Sequence, residues 1–139
     1  MKTAIDTNII SALWAGQPSA PAAEAALTHA SEAGNLVICG VVFAELIAHP
    51  NISHASIGRF LDEAAIDVDS EMDRAIWEEA GIRYAAYCRR RRSVGEKRER
   101  RLLADFIIGA HAQAKADRLL TFDRSRYSRD FPKLKLMTA

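Results

Sequence analysis

Short apolar runs alternate along this chain with longer stretches in which apolar residues recur every three or four positions. The first kind of pattern is that of a strand buried on both faces. The second is that of an amphipathic helix. Read in order, the pattern predicts a strand over residues 2–5, helices over 8–14 and 20–33, and a strand over 36–39. Helices over 41–49 and 52–64 and a brief strand over 66–68 come next. The longest helix follows over 71–89, with Met72, Ile76, Ala80, Tyr84 and Tyr87 on one stripe. A helix over 102–116 carries Leu103, Phe106, Ile107, Ala110 and Ala114. It leads into a strand over 118–121, a turn or short helix over 124–130 and an edge strand over 133–137. The breaks are chemical: Gly16-Gln17-Pro18, Gly34-Asn35 and Pro50 each stop a helix. Strand–helix alternation throughout predicts an α/β fold, a mostly parallel central sheet of four to five strands flanked by helices.

Composition narrows the class. At 139 residues, one domain spanning 1–139 is expected, with enough chain to bury a core. With 49% hydrophobic and 27% charged residues, the chain is neither a disordered tail nor a membrane protein in composition. No apolar stretch reaches the roughly 18 residues of a membrane span, and no signal-peptide pattern opens the chain. Cys39 and Cys88 share no spacing motif and read as reduced thiols, so a cytoplasmic location is expected. A formal net charge of +1 gives no global attraction to nucleic acid, which leaves the local distribution of charge to decide.

Four acids interrupt apolar settings. Asp6 follows the first strand, Glu45 lies in Val41-Val42-Phe43-Ala44-Glu45-Leu46-Ile47, Asp105 in Leu102-Leu103-Ala104-Asp105-Phe106-Ile107-Ile108, and Asp123 follows Leu119-Leu120-Thr121-Phe122. A buried carboxylate is costly unless it is paired, hydrogen-bonded or bound to metal. In a parallel sheet, acids at the strand ends and helix starts can be gathered at one edge, where α/β folds bind ligands. Oxygen donors of this kind suit Mg²⁺ or Mn²⁺, and such an ion activates water and stabilises charge on a phosphodiester. Each acid also has a plainer reading: Asp6 as a helix N-cap, Glu45 and Asp105 as solvated helix residues, Asp123 as a turn residue. His29, His49, His54 and His111 are scattered and form no zinc pattern.

Taken together, the motifs resemble those of the PIN-domain family and, within it, the VapC-type toxins of bacterial toxin–antitoxin systems. Ala4-Ile5-Asp6-Thr7-Asn8 resembles the opening strand and first acid, Phe43-Ala44-Glu45-Leu46 the glutamate helix, Ala104-Asp105-Phe106-Ile107-Ile108-Gly109-Ala110-His111-Ala112 the third-acid helix, and Leu119-Leu120-Thr121-Phe122-Asp123 the strand ending in the fourth acid. The resemblance covers nearly the whole chain. It implies an Mg²⁺- or Mn²⁺-dependent endoribonuclease with Asp6, Glu45, Asp105 and Asp123 as its catalytic acids. Asp6 and Asp105 would be direct metal ligands, while Glu45 and Asp123 would bind directly, act through water or hold a second ion. Asn8 and Thr121 would be supporting polar groups. It further implies an RNA substrate, a cognate antitoxin and a homodimer. Two features depart from the family pattern. Gly40, Val41 and Val42 stand where a Ser or Thr often precedes the glutamate, and the segment before the third acid is unusually basic.

That basic segment, residues 89–101, holds eight basic and two acidic residues, which makes it either a solvated loop or an arm that binds backbone phosphates without reading sequence. Its candidate RNA-binding residues are Arg89, Arg90, Arg91, Arg92, Lys97 and Arg98. Trp14 and Trp77 read as core or interface residues, with Trp14 the better candidate for a partner surface. Rival functions are a PIN-like nuclease of DNA or RNA processing or repair, and a non-catalytic nucleic-acid-binding module. An aspartyl-nucleophile phosphatase is disfavoured because Asn8 stands where its motif needs a second Asp.

Overall fold

The computed structural model describes residues 1–93 and 102–139; Lys97 and Arg98 of the basic run lie outside the described residues. Among the described residues the chain runs β1 (Lys2–Ile5), α1 (Thr7–Trp14), α2 (Ala20–Ala33), β2 (Asn35–Cys39), α3 (Gly40–Ile47), α4 (His54–Glu63) and β3 (Ile66–Asp69). It continues through α5 (Arg74–Ser93), α6 (Leu103–Lys115), β4 (Arg118–Thr121), α7 (Arg124–Asp130) and β5 (Leu136–Thr138). The strands form one sheet in the order β3-β2-β1-β4-β5, and every pairing is parallel. This is the predicted α/β architecture with five strands.

The three central strands each carry consecutive apolar residues. Ala4, Ile5, Leu36, Val37, Ile38, Leu119 and Leu120 are all buried, as two-sided helix cover requires. The edge strand β3 alternates instead and leaves Val68 39% exposed. On one flank α6 is buried from Phe106 to Ala112. His111 is among these residues, and its Nε2 lies 3.0 Å from Asp69 Oδ2 at the end of β3. The pair fastens the edge strand to the buried helix, which gives this histidine a structural role.

Element ends moved from their predicted places where a side chain captured the backbone. Ser53 Oγ accepts the Ser56 N–H at 3.2 Å and starts α4 at His54 rather than at residue 52. Asp69 Oδ1 accepts the Glu71 N–H at 3.2 Å, and α5 begins three residues later than the apolar stripe suggested.

Sheet order determines where a ligand fits. From β1 the chain steps to β2 and β3 on one side, then returns to place β4 and β5 on the other. The order therefore reverses between β1 and β4, and the crevice outside the carboxyl ends of these two strands is the topological switch point. Asp6 follows β1 and Asp123 follows β4, so both stand at this crevice.

Candidate active site

The site is built on the two strands of the switch point. The Asp6 N–H extends the ladder by donating to the Leu120 carbonyl at 2.9 Å. That bond turns the Asp6 side chain in beside Thr121, whose hydroxyl donates to Asp6 Oδ2 at 2.8 Å. Both residues are buried, Asp6 at 5% exposure and Thr121 fully. Asp6 occupies the N-cap position of α1 but makes no side-chain capping bond. The capping reading is thereby corrected: the carboxylate faces Thr121 without a capping bond to the first turn, and the Asp6 carbonyl accepts from the Ile9 N–H at 3.2 Å.

From Thr121 the network reaches the fourth acid. Thr121 Oγ1 accepts the Asp123 N–H at 3.0 Å and the Asn8 side-chain amide at 3.4 Å. The Asn8 amide also donates to Asp123 Oδ2 at 3.2 Å, while Asn8 Oδ1 accepts the Phe122 N–H at 3.4 Å. Asn8 and Thr121 are thus hydrogen-bonded to Asp123 and Asp6, two of the four candidate acids. Asp123 is the N-cap residue of α7 and likewise makes no side-chain cap bond; its carboxylate is turned toward Asn8, with Arg126 4.0 Å away.

Asp105 lies in the first turn of α6 and is half-buried rather than solvated. Its charge acts on Asp6. Burial pushes the Asp6 carboxyl from 3.8 up to about 6. The Thr121 and Tyr127 hydroxyls and the Thr7 backbone N–H hold it down, and the Asp105 charge pushes it further up. Among the described residues no lysine, arginine or histidine forms an ion pair with Asp6. Glu45 is exposed on α3 and enters the network through Thr7, whose hydroxyl donates to Glu45 Oε1 at 2.7 Å. A hydroxyl beside this glutamate thus comes from α1, from the residue adjoining Asp6.

The donor set is composed of oxygens, but it is not a closed cage. Among the described residues no three Asp, Glu, His or Cys groups surround a common point. Carboxylate oxygens are the donors Mg²⁺ takes, and it takes one or two of them while keeping several waters. A buried carboxylate repelled by a second acid, without a cationic partner among the described residues, is the local sign of such a fit.

The basic end of α5 divides. Arg89 and Arg92 are exposed, whereas Arg90 and Arg91 are half-buried. Arg90 Nη2 donates to Asp130 Oδ1 at 2.5 Å, and Arg91 Nη1 donates to the Tyr87 hydroxyl at 3.4 Å. Trp14 is half-buried and packs edge-on against Phe60 and His49, at ring-centroid distances of 5.4 and 5.9 Å. Trp77 is 49% exposed and is not a core residue. Sequence reading missed Thr7, Tyr127 and Asp130. Thr7 adjoins the first acid, and Tyr127 falls one helical turn after Asp123; those were the available signals. Asp130 sits in an ordinary polar stretch and had none.

Comparison with known proteins agrees with the architecture. The PIN domain family model matches residues 3–132. No curated protein sequence matches. Among solved structures, the chain is similar to one in VapBC2 from Rickettsia felis bound to a DNA fragment from their promoter. The TM-score is 0.65 and the identity 18%, with 99% of this chain and 98% of that chain covered. It is also similar to one in VapBC-1 from nontypeable Haemophilus influenzae, at a TM-score of 0.61 and 19% identity over 99% and 98% of the two chains. Because the PIN domain family model matches residues 3–132 of the 139, the chain belongs to the PIN domain family.

Proposed function

We propose that this chain is a single-domain, divalent-metal-dependent endoribonuclease over residues 1–139, acting as the toxin of a VapBC-type pair. The observation that carries the reading is Asp6: a carboxylate buried at the sheet's switch point, charged against Asp105 and fixed by Thr121. A carboxylate kept there at such cost has a use for its charge. Asp6 and Asp105 would hold Mg²⁺ or Mn²⁺, with Glu45 and Asp123 binding it directly, acting through water or holding a second ion. The ion supplies a Lewis acid that lowers the pKa of water and stabilises charge on the phosphodiester. The chain's own work is orientation. Thr121 fixes one oxygen of Asp6, Asn8 fixes Asp123, and Thr7 fixes Glu45, so that the acids meet a substrate without reorganising.

An acidic site repels RNA unless positive charge stands nearby. Arg89 and Arg92 present it at the exposed end of α5, and Lys97 and Arg98 follow in sequence. They would bind phosphates by charge alone. The antitoxin partner and the homodimer are proposed from the family and from the VapBC neighbours. Trp77 and Ile82 support a protein partner, leaving apolar surface on α5 at 49% and 62% exposure. No helix among the described residues is long and apolar enough to cross a membrane, which accords with the proposed cytoplasmic location.

The test is cleavage of single-stranded RNA by the purified chain in Mg²⁺, Mn²⁺ or EDTA, beside Asp6→Ala and Asp105→Ala, with single-stranded DNA run in parallel. Cleavage of RNA that needs metal and both acids is expected. Metal-independent cleavage, full activity in both variants, or cleavage of DNA alone overturns the reading.

A further inference from the structure

We propose that Arg90 is a positioning residue rather than a phosphate ligand. Through buried Asp130 it holds the short helix α7 in place, and α7 in turn holds Asp123 and Tyr127 against the acidic site. The inference rests on the nuclease reading of that site and concerns what keeps it assembled.

The four consecutive arginines look equivalent in sequence, but a helix turns them apart by about 100° each. Arg89 and Arg92 face solvent, while Arg90 turns toward α7. There it meets Asp130, which is 4% exposed. A carboxylate so buried is destabilising unless it is paired, and the Arg90 guanidinium pairs with it at 2.5 Å. Arg90 Nε is itself buried, without a hydrogen-bond partner among the described residues, so part of this guanidinium is committed to the interior.

The helix that receives this bond also carries the far side of the site. Asp123 is its N-cap residue and is bonded to Asn8 and Thr121. Tyr127, one turn on and 1% exposed, faces Asp6. Asp130 is its last residue, and Phe131 follows as the C-cap. Phe131 lies so close to Gly109 on α6 that a Cβ at Gly109 would come within 2.4 Å of its ring. Seven residues of helix, roughly 10 Å, separate the Arg90 anchor from the carboxylate of Asp123. With so short a lever, release of one end displaces the other. Misplacement of about 1 Å at a reacting centre can cost about a hundredfold in rate.

The experiment compares Arg89→Gln, Arg92→Gln, Arg90→Gln, Asp130→Asn and the double variant Arg90→Gln/Asp130→Asn. Binding of a single-stranded RNA oligonucleotide is followed by anisotropy in EDTA over a salt series. Cleavage is measured with Mn²⁺, and the rise in melting temperature on adding Mn²⁺ is recorded. Arg89→Gln and Arg92→Gln should each lower the slope of log affinity against log salt by about 0.7 and raise KM, leaving kcat within about twofold. Arg90→Gln and Asp130→Asn should leave that slope unchanged and lower kcat about tenfold to a hundredfold with little change in KM. Both should also weaken the Mn²⁺-induced rise in melting temperature. The double variant removes both charges, so it should fold even where a single variant does not, and its kcat should be no worse than the poorer single. The inference is overturned if Arg90→Gln lowers the salt slope with kcat and the Mn²⁺ response intact. It is equally overturned if Asp130→Asn tightens RNA binding by freeing a phosphate-binding arginine. Failure of the unmodified chain to cleave RNA refutes the nuclease reading instead, and the salt slopes and Mn²⁺ responses still decide the role of Arg90.

Discussion

In metal-free protein, the substitution Asp6→Asn should stabilise the fold, by an amount that grows with pH. The Asp6 carboxyl is raised from 3.8 to about 6, chiefly by burial. A carboxyl whose pKa is higher folded than unfolded favours the protonated native state. Its contribution is fully present below the unfolded value near 4 and is lost as pH rises through about 6. The difference is about two pKa units at about 1.4 kcal/mol each, so holding Asp6 ionised costs the folded chain about 3 kcal/mol at pH 8. Exposure of only 5% leaves little solvent screening to reduce that figure. Asparagine keeps an oxygen for the Thr121 hydroxyl, so the substitution removes the charge while retaining that bond. Urea unfolding in EDTA at pH 4, 6 and 8 measures the effect. With a slope of about 2 kcal/mol per molar urea, the variant's midpoint should exceed the parent's by about 1 to 2 M at pH 8, and the two should converge near pH 4. Saturating Mg²⁺ should narrow the gap at pH 8, adding about 3 kcal/mol to the parent at a hundredfold excess over its Kd and little to the variant. Equal midpoints at pH 8, or a gap that widens as pH falls, would refute the placement of Asp6 as a buried charge awaiting a cation.

Other consequences are more local. Thr121→Val keeps the shape but leaves Asp6 Oδ2 and the Asp123 N–H without their partner. It should cost about 1 to 3 kcal/mol in urea unfolding and lower cleavage with it. Thr7→Val should weaken Mn²⁺ binding by about tenfold, measured calorimetrically, because Glu45 loses the donor that orients it. Gly109→Ala drives a methyl into the Phe131 ring and should destabilise by about 1 to 3 kcal/mol, a fall in melting temperature that Phe131→Leu in the same chain should partly reverse. Phe106→Ala should cost about 3 to 5 kcal/mol in urea unfolding, since its ring meets Tyr84, Tyr87 and Phe131 at centroid distances of 5.2, 5.5 and 6.2 Å.

What could be read from sequence follows from how far apart in the chain the deciding groups lie. The central strands were legible because burial on both faces forces a continuous apolar run, as in Leu36 to Cys39 and Leu119 to Leu120. The four candidate acids stood out because each interrupts an apolar setting, a conflict within a few neighbouring residues. Element ends were less so. Ser53 and Asp69 each capture a nearby N–H, and several residue types compete for that role with similar energies. Asp130 was not legible at all. Nothing in Arg124 to Asp130 marks it as buried, and Arg90, which pairs with it, lies forty positions earlier. The same holds for Thr7 and Glu45, thirty-eight positions apart. The arginine run shows the limit from the other side. Written as a string, residues 89–92 are one motif with one function. Wound into a helix, they point in different directions. Two meet solvent, one meets a tyrosine, and one meets a buried carboxylate on the helix that starts at the acidic site. A charge run on a helix is therefore better divided by helical phase before any part of it is assigned to nucleic acid, and here that division separates two solvent-facing arginines from one that meets a buried carboxylate within four residues.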